Sequence, residues 1–362
     1  MSPAIKNNIS RIIPFGLIWF VFSFVYTLLE KGLLANLGFY PSSGNTYNFH
    51  TNIFITPALA LITGLLIGVL EILYFNDLFS RRSFSQKIIF KSLIYLVAVV
   101  LFVLLLTMIT NAREMRSGIF SKDVWEAVLA FITKFAFISV LIFIGSIILV
   151  SQFYNEVREN MGQAVLHNFL TGKYHRPTEE ERIFMFLDMK ASTTIAERLG
   201  HVKYFELLRD YYADFAKPII DHCGEIYQYV GDEIVVSWKM NDGVRNSNCI
   251  TCFFNMKTAI QNRSGYYREN YGVIPDFKAG LHVGRVTTGE IGINKKDIIF
   301  TGDVLNTTAR IQALCNHHQS DLLISEDLRK LLGDSTYAFD AIGESELRGR
   351  QEKILLHAVT PT

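Results

Sequence analysis

Residues 184–200 read FMFLDMKASTTIAERLG, and residues 226–238 read IYQYVGDEIVVSW. In the second stretch, two runs of β-branched and aromatic residues, 225–230 and 233–238, flank Gly231 and Asp232. That is the signature of two strands closed by a tight turn. In the first stretch, a buried strand at 183–188 ends on Asp188 and gives way to an amphipathic helix over Ser192–Lys217. Leu199, Phe205, Leu208 and Tyr212 fall near helical spacing there, and Pro218 marks a break near the end.

Working outward toward the C-terminus, the pattern predicts a helix around 246–262, strands at 276–283, 285–290 and near 297–301, a helix at 303–315 and a terminal strand at 353–359. Alternating strands and helices of this kind make an α+β sandwich. There is no internal repeat and no low-complexity segment. The four cysteines, Cys223, Cys249, Cys252 and Cys315, all lie in this half and have neither the number nor the spread of a disulfide scaffold, which suits a reducing cytosol. Cys249 and Cys252 form a CxxC without a second ligand pair nearby, so core packing on a helix is the expected role rather than zinc.

Toward the N-terminus the texture is different. The chain is 50% hydrophobic and only 19% charged over 362 residues, too apolar for two ordinary soluble domains. Four apolar runs approach or exceed the roughly 20 residues needed to cross a bilayer: Ile12–Leu29, Ile53–Phe75, Ile89–Ile109 and Trp125–Val150. Lys6 and Arg11 precede the first run, and Arg81, Arg82, Lys87 and Lys91 crowd the loop between the second and third. The excess of positive charge puts both flanks, and with them both termini, on the cytoplasmic side, although Arg113, Arg116 and Lys122 in an outer loop run against the rule. Within the spans, Glu71 and Lys134 should face the bundle interior or an end, and Gly64 and Gly68 form a pair that lets two helices approach closely. Ordinary bundle packing is the expected role of all four. Residues 151–176 are expected to continue the fourth helix as far as Gly172. With a net charge of +1, nothing global points to nucleic acid, and membrane contact must be hydrophobic. The expected organisation is a four-helix transmembrane domain at 1–151, a helical linker at 152–180 and a catalytic α+β domain at 181–362, in a multi-pass protein of a bacterial inner membrane.

If the strand ending at Asp188 neighbours the 225–238 hairpin, both carboxylates point at one spot beyond the sheet edge. Magnesium takes a few carboxylates plus substrate phosphate oxygens, so this pair is a candidate metal site. Either aspartate alone would be an ordinary strand-end or turn residue. Asn306 and Arg310 lie four apart on a predicted helix, hence on one face and able to reach one ligand together.

Four blocks in order, FMFLDMKASTTIAERLG, IYQYVGDEIVVSW, LHVGRVTTGEIG (281–292) and FTGDVLNTTARIQ (300–312), resemble the class III adenylate and guanylate cyclase catalytic domain over roughly residues 180–360. The resemblance implies a ferredoxin-like α+β domain. It implies that Asp188 and Asp232, with the backbone carbonyl of Met189, hold two magnesium or manganese ions, and that Arg285 meets the triphosphate. It also implies that Asn306 and Arg310 orient the ribose and stabilise the transition state, and that Arg348 stands where the family usually has a phosphate-reaching lysine, with Arg350 able to share that role. Gln228 and Ile299 occupy the base-reading positions and depart from the family's usual residues, and the guanine-reading glutamate is absent. The resemblance further implies a homodimer, in which the aspartates and Arg285 of one subunit face Asn306 and Arg310 of the other. The expected activity is conversion of ATP to cyclic AMP and pyrophosphate. A guanylate or pyrimidine cyclase, or an inactive receptor-like homologue, are the alternatives, and any ligand of the membrane domain is left undetermined.

Overall fold

The computed structural model describes residues 3–40, 46–75, 78–79, 82–294, 296–333, 337–345 and 353–362. It divides into two compact units, one comprising Ile5–Gln163 and the other including Ala164–Thr362. The division falls inside the 152–180 segment expected to be a linker. Arg81, Arg348 and Arg350 lie outside the described residues.

In the N-terminal unit four helices are long and apolar enough to cross a membrane: Pro3–Leu34, Phe49–Phe75, Phe84–Arg113 and Phe135–Met161. The last of these departs from the sequence reading. The run expected as one span over Trp125–Val150 is two helices, Lys122–Ile132 and Phe135–Met161, because Lys134 leaves the helical region (φ −75°, ψ 139°) and caps the second. The expected continuation beyond residue 150 also has a joint. The helix stops at Met161, Gly162 takes φ 85°, and a further helix, Gln163–Thr171, ends before Gly172 at φ 65°.

Apolar packing in this unit centres on Phe15, Trp19, Ile67, Tyr95, Ile147 and Ile148. Gly64 and Gly68 do what small residues in a bundle do. A Cβ on Gly64 would sit 2.7 Å from the Phe15 carbonyl oxygen, and one on Gly68 would sit 3.2 Å from that of Ile12, so the first two spans touch backbone to backbone. Glu71 is buried as expected, at the start of a π-helical turn, Glu71–Phe75, that ends the second span. Lys91, read from sequence as a flanking charge, is instead fully buried and bonded to Glu71 (2.5 Å) and Glu156 (3.1 Å). Tyr95 donates to the other oxygen of Glu71 at 2.8 Å, and the amide of Asn155 donates at 3.3 Å to the same oxygen as Lys91. An isolated charge in this apolar setting costs several kcal/mol, so each of these groups depends on its partners.

The C-terminal unit is an α+β sandwich. One mixed sheet runs β2 (Glu225–Val230), β3 (Glu233–Lys239), β1 (Thr178–Met189), β4 (Phe277–Ile291), β6 (Leu322–Ser325), β8 (Ile354–Pro361) and β7 (Tyr337–Ser345), with β5 (Asp297–Thr301) paired to β4. β1 lies between β3 and β4, antiparallel to both. Its centre, Ile183–Leu187, is buried on both faces, which is why it reads as a continuous apolar run rather than an alternating one. Ile183, Met185 and Leu187 point into the main core with Leu207, Tyr211 and Phe215 of the helix His201–Asp221. Cys249 and Cys252, from the helix Asn248–Asn262, are buried in the same core, so core packing explains the CxxC. Phe184 and Phe186 point the other way, toward Val304 of the helix Asp303–Leu314. That helix seats very closely. A Cβ on Gly280 of β4 would come within 2.8 Å of the Gln312 Cα and 2.9 Å of the Thr308 carbonyl oxygen.

Several boundaries differ from the sequence reading. The expected Ser192–Lys217 helix is two, Ser192–Leu199 and His201–Asp221, divided by Gly200 at φ 73°, and the second continues past Pro218. The two strands expected at 276–283 and 285–290 are one, β4. β6, β7 and the helices Ser264–Tyr271 and Glu326–Leu331 were not anticipated.

At one end of β1, Arg182 is 2% exposed yet fully engaged. It donates to Glu180 and Glu225 (2.8 Å each) and to Ser237 (3.1 Å), and its guanidinium lies 4.7 Å from the Phe300 ring centre. Burial by itself would raise the Glu180 carboxyl, but hydrogen bonds from Lys173, Arg182 and Tyr174 outweigh it and bring its pKa down to about 2. A depressed carboxylate stabilises the fold fully above its ordinary value of 4.5, and that stabilisation is lost as pH falls toward 2.

Two outcomes follow. In acid unfolding between those two pH values, Glu180→Gln should show a shallower loss of stability than the unmodified chain; an unchanged slope would remove Glu180 from the account. In detergent, Glu71→Leu should destabilise the bundle by roughly 3–5 kcal/mol by taking one of its two carboxylates from buried Lys91, and Glu71→Leu combined with Lys91→Met should cost less than the sum of the two single losses. If thermal unfolding instead shows the two losses adding, the groups are not acting as a pair.

Candidate active site

The register of three strands builds the site. Asp188, at the C-terminal end of β1, stands opposite Glu233 of β3 and Lys278 of β4. Asp232 precedes Glu233 in the β2–β3 turn, so antiparallel pairing alone carries it to the end of β1. The turn is fixed from behind: Gly231 takes φ 64°, and the Tyr212 hydroxyl donates to the Gly231 carbonyl at 2.9 Å. Side chains alternate along β1, which turns Asp188 to the same face as Phe184 and Phe186, beneath the helix Asp303–Leu314. From that helix Gln312 donates its amide to Asp188 Oδ2 at 3.2 Å, and Lys278 Nζ lies 3.6 Å from the same oxygen.

The resulting environment is acidic and half-buried. Burial first, then the Asp232 carboxylate beside it, raise the Asp188 pKa above the usual aspartate range. Glu233 is raised for the same reasons, by burial and then by Asp188 and Asp232. The Tyr204 hydroxyl is pushed up to about 12, chiefly by burial and then by Asp232. Asp232 Oδ2 is buried and, among the described residues, receives no hydrogen bond. A buried carboxylate oxygen with no donor, next to a second carboxylate, is what a hard divalent cation would satisfy, and oxygen donors suit magnesium or manganese. The residues present therefore fit such an ion.

The other candidate residues are more dispersed. Met189 follows Asp188 at the end of β1, its side chain buried. Asn306 is exposed and Arg310 half-buried on the helix Asp303–Leu314. The buried face of that helix carries Val304, Thr307, Thr308, Ile311 and Gln312, so the 100° helical step sends Asn306 and Arg310 to the opposite face, away from their own sheet. Within one subunit they do not join the aspartates. Arg285 stands opposite Glu181, seven residues along β4 from Lys278 and so about 23 Å away along the strand. Its side chain is 78% exposed, with Glu181 at 3.5 Å. Gln228 is exposed on β2, next to a bulge at Tyr227, and Ile299 is half-buried on β5 opposite Gly289. Their chain neighbours meet: the Tyr227 and Phe300 rings are 4.8 Å apart, and the Phe300 amide donates to the Tyr227 hydroxyl oxygen at 3.3 Å. Arg348 and Arg350 lie outside the described residues.

Sequence reasoning missed the supporting residues. Gln312 sits on the inward stripe of a helix whose outward stripe held the motif, and Tyr212 was read only as part of an apolar face. Lys278 and Glu233 become visible only once the register is known.

Residues 175–360 match the family model of the adenylate and guanylate cyclase catalytic domain. The chain is 36% identical over 209 residues to adenylate cyclase 2 of Rhizobium meliloti (strain 1021), covering 58% of each chain. It is 27% identical over 189 residues to an adenylate cyclase of Anabaena cylindrica, covering 48% of this chain and 36% of that one. The chain thus spans little more than half the length of the first of these relatives and about a third of the second. Among solved structures, that of a bacterial light-regulated adenylyl cyclase superposes with a TM-score of 0.54 at 19% identity, over 63% of this chain and 67% of that one, a likeness of fold. A match over residues 175–360 takes in both aspartates and the helix Asp303–Leu314, and on it the chain belongs to the adenylate and guanylate cyclase catalytic domain family.

Proposed function

We propose that the protein is a membrane-anchored adenylate cyclase that converts ATP to 3′,5′-cyclic AMP and pyrophosphate at sites shared between two copies of the chain. The observation that carries the reading is the convergence of Asp188 and Asp232 at the end of β1, with a buried Asp232 oxygen lacking a donor. In this reading Asp188 and Asp232, with the Met189 carbonyl, hold two magnesium or manganese ions. Bound there, such ions would lower the pKa of the ribose 3′-hydroxyl and neutralise the departing pyrophosphate. The new bond joins O3′ to the α-phosphorus, and the bond broken is that between the α-phosphorus and the oxygen bridging to the β-phosphate.

Arg285 and Arg348 are the cations assigned to the triphosphate, and Asn306 and Arg310 the groups that orient the ribose and meet the charge of the transition state. The outward direction of Asn306 and Arg310 supports a homodimer, since those residues and the aspartates of one subunit cannot serve one nucleotide together. Two equivalent sites then follow from twofold symmetry. Gln228 and Ile299 are the base-reading positions. The names of the relatives favour adenine. An exposed Gln228, able to donate or accept, supports a guanylate or pyrimidine cyclase as the second reading. The four apolar helices support residence in lipid, and the lysines and arginines of their flanks support cytoplasmic termini in a bacterial inner membrane.

The full chain purified in detergent, given ATP, GTP, UTP and CTP separately with magnesium, should release cyclic AMP from ATP alone; turnover confined to another nucleotide would replace the adenine assignment. Asp188→Asn and Asn306→Ala should each lose on the order of 10²-fold or more in kcat. Co-expressed, the two variants should recover roughly a quarter of the unmodified activity, because half the dimers are mixed and each mixed dimer has one intact site of two. No recovery would reject the shared site.

A further inference from the structure

Gln312 is 7% exposed and is held in place from two directions. Its backbone packs against Gly280, where a Cβ would come within 2.8 Å of the Gln312 Cα, so the helix Asp303–Leu314 rides directly on β4. Its amide then reaches over β4 to β1, where Nε2 donates to Asp188 Oδ2 at 3.2 Å. Lys278 approaches the same oxygen at 3.6 Å. Both contacts converge on Oδ2, so they restrict the orientation of the carboxylate. A neutral donor suits this place. Asp188, Asp232 and Glu233 already crowd one corner, and an acidic side chain at 312 would add to their repulsion.

We propose that Gln312 is a positioning residue for the metal carboxylate, holding Asp188 by a hydrogen bond that only the close seating of its helix on Gly280 allows. The inference rests on the reading of Asp188 and Asp232 as metal ligands. Gln312 touches neither nucleotide nor reacting atoms in that reading and acts through Asp188 alone. Its amide therefore matters for how well the site binds the ion rather than for the chemical step. Hydrogen-bond partners of metal-ligating carboxylates are commonly worth 10–100-fold in metal affinity.

The test uses the full chain in detergent and Mg2+ or Mn2+ without nucleotide. Metal affinity is read from the metal-dependent rise in thermal stability and checked by titration calorimetry. Gln312→Met keeps the length and removes the donor, and Gln312→Leu serves as a second variant should the first fold poorly. Either should weaken metal binding by roughly 10–100-fold while leaving metal-free stability close to that of the unmodified protein. In turnover the loss should appear as a raised half-saturating Mg2+ concentration, with kcat at saturating metal much less affected. A variant that binds metal as tightly as the unmodified chain, or whose metal-free stability and kcat fall together, overturns the positioning role. Asp188→Asn run alongside separates the two failures: if it too leaves the metal response intact, the metal-site reading has failed and not merely the role of Gln312.

Discussion

The antiparallel register of β1 against β3 is the constraint on which the catalytic unit depends. It fixes Asp188 opposite Glu233 and thereby sets Asp232, one residue earlier in the turn, beside it. A slip of one residue would turn Asp188 to the opposite face and bury Phe184 and Phe186 against the wrong helices. The register is held by burial on both faces of β1, so the hydrophobic pattern that stabilises the sheet also assembles the acidic corner. Burial first, and then the neighbouring carboxylates, raise the Asp188 and Glu233 carboxyls in that corner. The packing of β1 between β3 and β4 is what keeps these carboxylates together.

The helix Asp303–Leu314 has two duties on two faces. Its inward face packs on Gly280 and Val286 of β4 and reaches Asp188 through Gln312. Its outward face holds Asn306 and Arg310. A helix that seated less closely would lose the contact with Asp188, and the small size of Gly280 is what permits the approach.

In the membrane unit, burial works in the opposite sense. Glu71, Lys91 and Glu156 are charged side chains taken almost wholly out of solvent, and they compensate one another across three helices. Arg11 and Glu159 add a further pair between the first helix and the fourth. The second span ends, the third begins and the fourth ends near this network, and Arg11 lies in the first turns of the first span, so one end of the bundle is tied by polar contacts. Directly beside that end, at Ile12 and Phe15, the first two spans are joined by glycine packing.

Chain-local patterns were enough to reveal much of this protein. Apolar runs marked the four membrane helices, and period-two and turn signals located the β2–β3 hairpin and its Asp232. The ordered blocks marked the family. Those features are legible because hydrophobic periodicity and turn chemistry are properties of neighbouring residues. What they could not supply were contacts between residues far apart in sequence. Lys91 looked like a flanking charge until Glu71 and Glu156 were found around it, and Gln312 looked like helix polarity until the register brought Asp188 beneath it. β6 is four residues long and buried throughout, too short to carry a period of its own. The break at Lys134 was hidden within an apolar run. Sequence fixed which groups the chain possesses and their local geometry; the tertiary structure alone decided which of them meet, because meeting depends on strand register and helix seating, which are set by packing over the whole unit.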